Sequence, residues 1–302
     1  MTKVPEWCDL PVLLKRAIVT KLDWKSRLNL KVCSKDCENL VDSVEYHWKD
    51  ISYSCDGDTN IVIKYDGENE KFIQKGGRTI LIKNGKTEYM YYDDMMLLAS
   101  KRLNRILRNN TVEKLKIETY SMHQYLFPLF NMKHLKSINI GNYACYNEEK
   151  DIRWFQTFLD KLPSDMNYIA YTCCASSFPV FKWFKALKTC KEVFLRNIDM
   201  EDKDFDGLQA ESCCVFAKNI TIGAALRYLK TRSTKGNFQF NFCDNRMRKS
   251  VFIAKFDEVV GDAFEGFLIN REAADDVRVD MRNGWKMRIQ LGRDELMAWI
   301  DR

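Results

Sequence analysis

The stretch Leu10–Cys33, LPVLLKRAIVTKLDWKSRLNLKVC, decides how the rest of the chain is interpreted. Apolar residues at every fourth position predict one stripe of a helix that begins at Leu10-Pro11 and breaks near Asp23. That stripe consists of Leu10, Leu14, Ile18 and Leu22. After a short polar break, a second apolar run contains Leu28, Leu30, Val32 and Cys33. Two helical pieces of this size rarely hold a core alone, so we expect them to pack on something larger.

The same stretch resembles an F-box. The matching residues are Leu10-Pro11, Ile18 eight positions after Leu10, Leu22 four later, Asp23, Leu28 and Val32-Cys33. The first helix follows the family spacing without a gap, whereas Leu13 occupies a usually acidic position and Trp24 one that often holds proline. The resemblance covers 5–50 and is closest to the divergent F-box proteins of the type expanded in nematodes. An ordinary helical pair in an unrelated protein is the alternative, because Leu-Pro with helical spacing is common.

An F-box implies a set of partners. The resemblance predicts that the N-terminal segment binds the Skp-type adaptor of a cullin-RING (SCF) ubiquitin ligase, while the C-terminal part holds a target protein. Such a subunit is a substrate receptor in the ubiquitin-like conjugation pathway and contributes no catalytic residue. The residues expected to face the adaptor or form the F-box core are Leu10, Pro11, Leu14, Ile18, Leu22, Leu28, Val32 and Cys33.

Composition predicts an intracellular globular protein. The 302 residues are 46% hydrophobic and 30% charged, which is ordinary for a folded chain with a sizeable core. No window approaches 18 uninterrupted apolar residues, so we expect neither secretion nor a membrane span. The 11 cysteines are an odd number, and Cys33 and Cys190 stand at apolar positions, as free buried thiols do in a reducing compartment. We therefore expect a cytoplasmic or nuclear location.

One segment, 227–249, concentrates positive charge in a chain whose net charge is only +6. Its basic residues are Arg227, Lys230, Arg232, Lys235, Arg246, Arg248 and Lys249. Phe238, Phe240 and Phe242 alternate within it, and stacking aromatics on a basic strand is typical of single-strand nucleic-acid binders. Alternating phenylalanines equally fit a half-buried strand. An RNA-binding or single-strand-binding module at this segment is therefore the alternative function.

Residues 60–92 predict a small antiparallel meander. Strands are expected at 61–65, 72–74, 79–83 and 87–92, separated by Asp66-Gly67, Gly76-Gly77 and Asn84-Gly85. Asn84-Gly85 is the strongest of these signals, because both central residues of the favoured hairpin turn need positive φ. A helix should then begin at Asp93-Asp94 and end at Asn109-Asn110. Its apolar face would consist of Met96, Ala99, Leu103 and Ile106.

From residue 112 onward, the same apolar pattern recurs five times. Its members are Val112, Leu115, Ile117; Leu135, Ile138, Ile140; Met166, Ile169, Tyr171; Cys190, Val193, Leu195; and Ala217, Ile220, Ile222. The middle members lie 23, 31, 24 and 27 residues apart, which is the range of leucine-rich-repeat periods. The pattern resembles the strand half of that repeat. A plain α/β domain with repeated strands is the alternative, because weak periods arise by chance.

These segments combine into one predicted α/β architecture. A small helical F-box occupies 1–50, and a short antiparallel β meander at 51–92 serves as a spacer. An irregular leucine-rich-repeat-like α/β curve with parallel strands occupies 93–302. Near its end, the sequence predicts a hairpin around Asn283-Gly284 and a short helix over 295–300 that would cover it.

The curve would present a concave surface made of the residues between the buried strand positions. The candidates for binding a target protein are Lys116, Glu118, Asn139, Tyr168, Thr172, Phe194, Arg196 and Thr221. Mixed charges with tyrosine and phenylalanine are a usable composition for a protein interface.

No catalytic or metal-binding motif is found in the sequence. It lacks the Gly-x-Ser-x-Gly, phosphate-loop and dinucleotide-binding patterns, and its only three histidines are His47, His123 and His134. The pairs Cys173-Cys174 and Cys213-Cys214 are adjacent, whereas structural zinc sites separate their cysteines by two to four residues. We therefore expect no cofactor, no metal and no catalytic residue. An enzyme of unfamiliar type is opposed only by these missing motifs.

Overall fold

The structure is a computed structural model with a mixed α/β fold, in which N-terminal helices are followed by mostly antiparallel β-structure. It describes residues 6–56, 59–91, 94–107, 110–119, 132, 134–142, 156–173, 185–205, 207–232, 236–242, 260–261, 264–265, 267–273, 276–281, 284–291 and 295–301. The chain packs as two compact units, the first comprising Met1–Lys116 with Gln124–Leu135 and the second Ile117–His123 with Lys136–Arg302. Within the described ranges, no helix is long and apolar enough to cross a membrane.

The first unit contains four helices and a sheet with strand order β6-β1-β2-β3-β4-β5 in its described part. Its elements are α1 (Val12–Lys21), α2 (Trp24–Lys31), α3 (Lys35–Asp42), β1 (His47–Asp56), β2 (Asn60–Tyr65), β3 (Glu68–Lys75), β4 (Arg78–Lys83), β5 (Lys86–Tyr91), α4 (Met95–Leu107) and β6 (Thr111–Thr119). The meander and α4 thus lie in the same unit as the N-terminal helices, and the boundary between the units falls within β6.

Local side-chain hydrogen bonds set where the N-terminal helices begin. The expected break near Asp23 is confirmed, since its carboxylate accepts a hydrogen bond of 2.7 Å from the Ser26 amide and caps α2. Helix α3 was not predicted. Its cap is the Ser34 hydroxyl, which accepts from the Cys37 amide at 3.1 Å. Cys33 lies in the turn between α2 and α3 and is exposed, so the prediction that it is a buried core thiol was wrong.

Three tight turns shape the meander as the sequence predicted. Asn84 and Gly85 have φ angles of 48° and 80°, and Asp66 and Gly67 have 42° and 82°. Positive φ at both central residues matches the twist of adjacent antiparallel strands, which explains the choice of Asn-Gly and Asp-Gly. Strand β1 was missed; its buried residues alternate along the sequence from Ile51 onward. Helix α4 is confirmed, although its first buried residue is Met95 rather than Met96.

An aromatic chain joins the N-terminal helices to the first sheet. The rings of Trp24, Tyr46, Trp48 and Tyr65 follow one another with centroid separations of 4.6 Å for Trp24–Trp48, 4.5 Å for Tyr46–Trp48 and 5.3 Å for Trp48–Tyr65. Trp48 is fully buried and donates from Nε1 to the Ile106 carbonyl of α4 at 3.2 Å. Tilted and edge-on aromatic pairs add to the gain from burial, so this cluster forms part of the core of the first unit.

The second unit is built on a sheet with strand order β12-β13-β14-β15-β11-β10-β9-β8-β7. Its elements are β7 (Ser137–Asn142), β8 (Tyr168–Cys173), β9 (Glu192–Glu201), α5 (Asp202–Phe205), β10 (Ser212–Asn219), α6 (Ile222–Lys230), β11 (Gly236–Phe242), β12 (Leu268–Ala273), β13 (Asp276–Asp280), β14 (Lys286–Leu291) and β15 (Glu295–Asp301). The five strands β7 to β11 pair in parallel, and the remaining pairs are antiparallel.

The parallel register shows which of the five repeated sequence units are equivalent. Ile138, Ile169 and Val193 stand opposite one another in β7, β8 and β9, and Cys213 of β10 continues this row. The fifth unit is therefore Ala210, Cys213 and Val215, which are all buried. The prediction of Ala217, Ile220 and Ile222 was wrong in register: these residues are also buried, but Ile222 begins helix α6. The leucine-rich-repeat-like curve itself stays a prediction.

The C-terminal residues form a strand where a helix was expected. In β15, Leu296, Ala298 and Ile300 are buried alternately, and the strand pairs antiparallel with both β11 and β14. A period of two places one face of this segment in the core, which a short covering helix could not do. The preceding apolar alternation is confirmed, with Val277, Val279, Met281, Met287, Ile289 and Leu291 buried. Asn283 of the expected turn lies outside the described residues.

Candidate functional site

The N-terminal helices expose large apolar side chains. Val12 is 64% exposed, Leu13 80%, Leu14 48% and Val32 85%. The structure shows five large hydrophobic side chains exposed among its described residues, and only Leu268 lies elsewhere. Apolar side chains concentrated on one short exposed segment are typical of a surface that another molecule covers.

The residues predicted to contact the adaptor divide by burial. Pro11, Leu14, Val32 and Cys33 are exposed, whereas Leu10, Ile18, Leu22 and Leu28 are half-buried. The fully buried residue of α1 is Val19, which lies off the predicted stripe. Val12 and Leu13 were missed as surface residues because they do not follow the four-residue spacing. Their signal was the run of three consecutive apolar residues, since a helix of this length can turn only one face inward.

The buried side chain of Arg27 links these helices to the segment that follows them. Its side chain is 2% exposed, and its guanidinium donates to the carbonyl oxygens of Leu22 at 3.3 Å, Val44 at 2.9 Å and Glu45 at 3.2 Å. It also lies 4.8 Å from the centre of the Tyr46 ring. Burial lowers the pKa of Arg27 below its ordinary value, and the nearby Tyr46 opposes that shift. The sequence offered no sign of this role, because arginine on a short helix is ordinarily a surface residue.

The second unit has a sheet face made of side chains that point away from the core. Helix α6 packs on the other face, where the Tyr228 ring lies edge-on to Phe238 at 5.9 Å and Phe240 at 6.0 Å. The alternate residues of β7 to β11 and β15 therefore form an outer face. Its first row is Tyr168, Glu192, Ser212, Asn237 and Trp299, and its second row is Ala170, Phe194, Cys214, Gln239 and Met297.

Several residues predicted to bind a target meet on this outer face. Tyr168 stands opposite Glu192, Asn139 and Phe194 flank Ala170, and Thr172 stands opposite Arg196. Lys116 and Glu118 lie on β6, and both are half-buried. Thr221 is not on a strand, because its hydroxyl caps α6 by accepting from the Ala224 amide at 3.2 Å and donates to Asp202 at 2.6 Å. Its assignment to a strand surface was therefore wrong.

A shallow trough of about 300 Å³ lies in the two rows of the outer face. Tyr168, Glu192 and Phe194 form one end, and Met297 and Trp299 form the other. Its floor between them consists of smaller or polar side chains, namely Ser212, Cys214, Asn237 and Gln239. The floor and the far end were missed, because they depend on the register of β10 and on β15 being a strand.

Hydrogen bonds order the polar floor of the trough. The Gln239 amide donates to Glu295 Oε2 at 2.7 Å, and its carbonyl oxygen accepts from the Cys214 thiol at 3.4 Å. Burial, with a contribution from the Glu295 carboxylate, raises the pKa of Cys214 to about 11. Burial and then the Glu192 carboxylate raise the pKa of Tyr168. Both groups are therefore neutral at physiological pH, and the nearest formal charges are negative.

The basic segment 227–249 is only partly described. Phe238 and Phe240 are buried against α6, so their rings are not available for stacking on bases. Arg232 lies 4.4 Å from the centre of the Tyr228 ring, and Arg227 lies 3.8 Å from Asp202. Lys235, Arg246, Arg248 and Lys249 lie outside the described residues, and so does the side chain of Phe242. Nucleic-acid binding by this segment stays a prediction.

Metal-ligating side chains are not grouped in the described part of the chain: no three His, Cys, Asp or Glu residues there could hold one ion. Cys190 and Cys213 are buried, and burial raises the pKa of their thiols to about 11 and about 12. Such thiols are protonated at neutral pH and are poor nucleophiles. These two cysteines thus pack as apolar side chains.

Comparison with known proteins leaves the family of the chain open. No protein-family model matches it. A search of curated proteins likewise finds no match.

Proposed function

We propose that this chain is the substrate receptor of an SCF-type ubiquitin ligase. In this proposal, the N-terminal helices bind the Skp-type adaptor, through which the chain joins a cullin complex, and the second unit holds a target protein. The receptor acts by proximity: it keeps a target lysine close to the ubiquitin-charged conjugating enzyme and turns a bimolecular encounter into a local one.

The observation that carries the proposal is the concentration of exposed apolar side chains on the F-box-like segment. Val12, Leu13 and Leu14 occupy the first turn of α1, and Val32 follows α2. Fully covering an exposed large apolar side chain contributes about 1.5–3 kcal/mol, so the consecutive residues Val12, Leu13 and Leu14 provide a strong driving force for association. The resemblance of the segment that carries them to an F-box selects the Skp-type adaptor as the partner that covers them.

We also propose that β7 to β11 form an irregular leucine-rich-repeat-like curve, whose outer face binds the target. The support is the parallel register of these strands and the burial of equivalent apolar residues in each one. Parallel strands with equivalent buried positions are what a repeat architecture requires, because each repeat buries its apolar side against the next.

The adaptor proposal can be tested by co-expressing the full chain with a Skp-type adaptor and separating the products by size-exclusion chromatography. A one-to-one complex is expected. The double variant Leu14→Asp/Val32→Asp should weaken it at least about 100-fold, since two carboxylates would lose their water in the contact. Because both side chains are exposed, the variant should fold normally, as a circular dichroism spectrum would check.

The matched control is Leu268→Asp. Leu268 is 62% exposed, like the N-terminal residues, but lies on β12 in the second unit. This variant should retain the complex. If the native chain elutes alone, or if the double variant binds as well as the native chain, the proposed function is wrong.

A further inference from the structure

We infer that the trough on the outer face of the second unit binds an extended peptide that carries a lysine or arginine and, about four positions away, a bulky apolar residue. This inference deepens the proposed function, because it specifies the chemistry of the target segment, and it rests on that function only for the identity of the protein that supplies the peptide.

The shape of the trough favours an extended chain. From Glu192 on β9 to Trp299 on β15 there are three strand steps, through β10 and β11. At about 4.8 Å per step the two ends lie about 14 Å apart, and two rows along each strand add a width of about 7 Å. A volume of about 300 Å³ over that area leaves a depth of only a few ångströms. Such a depression suits one extended backbone better than a compact small molecule.

Charge determines what binds at the end of the trough near β8. The Glu192 side chain is exposed, and no lysine or arginine lies within ion-pairing distance of it among the described residues. No basic residue lines the trough in this part of the chain. On the same face, Arg196 lies one row further along β9, and Arg288 of β14, which pairs with Asp276, stands opposite Trp299 at the far end from Glu192. The half-buried rings of Tyr168 and Phe194 flank Glu192, and aromatic faces attract cations. A carboxylate with aromatic neighbours matches the head and the stem of lysine or arginine.

Apolar chemistry determines what binds at the opposite end. Met297 and Trp299 are half-buried on β15, where they stand opposite Gln239 and Asn237. Methionine and tryptophan are among the side chains enriched at protein interfaces, where they provide large contact areas. Because an extended chain advances about 3.3 Å per residue, 14 Å corresponds to about four positions between the basic and the apolar side chain.

The polar floor would bind the peptide backbone between the two anchors. The Asn237 side chain is exposed, and the Ser212 hydroxyl already accepts from the backbone N–H of Asn237 at 3.2 Å. Amide and hydroxyl side chains can satisfy backbone groups of any sequence, so the intervening residues would not be specified.

The experiment is a selection of random heptapeptides displayed on phage against the full chain. The enriched sequences should contain lysine or arginine and, three to five positions away, a bulky apolar residue. Resynthesised peptides should bind the Glu192→Gln variant about 3- to 10-fold more weakly by fluorescence polarisation, as expected for one exposed ion pair with aromatic contacts.

Reversing the charge of Glu192 is the decisive test of the basic position in the peptide. A selection against Glu192→Lys should replace lysine and arginine by aspartate and glutamate at the same position, whereas the control Glu265→Lys should leave the motif unchanged, because Glu265 is exposed and does not line the trough. Selections that enrich no motif, or a motif that Glu192→Lys does not alter, would overturn the inference.

The two proposals fail separately. Glu192→Lys should form the adaptor complex as well as the native chain, since the N-terminal helices are untouched. If the native chain forms the adaptor complex but the selection enriches no peptide motif, the inference about the trough is wrong and the receptor proposal is unaffected. If the selection enriches the motif but no adaptor complex forms, the receptor proposal is wrong and the inference about the trough is unaffected.

Discussion

Arg27 donates a hydrogen bond of 2.9 Å from Nη1 to the carbonyl oxygen of Val44, which joins the first turn of α2 to the segment that enters β1. The bond lies in a buried setting where the same guanidinium also contacts the Leu22 and Glu45 carbonyl oxygens. Because its positive charge lies against backbone dipoles, this residue connects the N-terminal helices to the segment that enters β1.

Replacing Arg27 should therefore loosen the N-terminal helices. Arg27→Met removes the donors and leaves buried carbonyl groups unpaired, so the free energy of unfolding should fall by about 2–4 kcal/mol in a urea titration. Arg16→Met is the control, because the exposed Arg16 side chain makes one hydrogen bond among the described residues, at 3.2 Å to the Ser43 carbonyl, and its loss should change stability by less than about 0.5 kcal/mol. Equal losses for the two variants would contradict the role of Arg27.

Glu70 predicts how the stability of the first unit depends on pH. The carboxylate is fully buried and accepts from Arg102 Nε at 2.6 Å and from the Tyr65 hydroxyl at 2.5 Å. Burial alone would raise the pKa of Glu70, but the hydrogen bonds and charge of Arg102 outweigh it and hold the pKa below its ordinary value of 4.5. The folded state therefore binds the proton less readily than the unfolded state, and this contribution is present above pH 4.5 and lost as pH falls below it.

We expect unfolding midpoints to decline from about pH 5 downward and the decline to be shallower in Glu70→Gln, which has no carboxyl to titrate at this position. At neutral pH the variant should lose about 2–3 kcal/mol, because it leaves Arg102 without its ionic partner. Glu68 lies on the same strand and is only half-buried, so Glu68→Gln should cost less stability at neutral pH than Glu70→Gln. Parallel profiles for native chain and Glu70→Gln would show that Glu70 does not control this dependence.

Gly236 is required by close packing at the start of β11. A Cβ atom built there would lie 2.0 Å from the Glu211 carbonyl oxygen and 2.8 Å from Cζ of Phe238. Gly236→Ala should cost about 1–3 kcal/mol, since the backbone must move to make room. A Cβ atom at Gly261 would meet nothing within 4 Å, so Gly261→Ala is the matched control and should be neutral or slightly stabilising. Differential scanning fluorimetry on the two variants would separate these outcomes.

The alternation along β11 can be tested with side chains from its two faces. Phe240 is fully buried, so Phe240→Ala should lower the free energy of unfolding by about 3–5 kcal/mol. Asn237 faces outward and is exposed, so Asn237→Ala should change it by less than about 0.5 kcal/mol. If Phe240→Ala does not lower the free energy of unfolding, this ring lies on the surface and would be available for stacking on bases.

The sequence predicted the turns and helix ends that depend on interactions between residues a few positions apart. The Asn84-Gly85 turn and the capping of α4 by Asp94 depend on neighbouring residues alone, because φ preferences and side-chain caps act within a few positions. The buried members of the first four repeat units were also predicted correctly, since a fixed spacing of apolar residues marks the face that leaves water.

Long-range pairing determined the rest. Cys213 and not Ile220 aligns with Val193, and residues 295–301 form β15, because neighbouring strands place those residues in the core. Val12 and Leu13 are exposed and Arg27 is buried, which reverses their ordinary preferences. Arg27 is buried because its guanidinium donates to the carbonyl groups of Val44 and Glu45, which are distant in sequence. By itself the sequence determined turns, caps and most of the apolar faces. Only the tertiary structure decided strand register, and with it the trough between Glu192 and Trp299, because side chains on different strands become neighbours only after the sheet has formed.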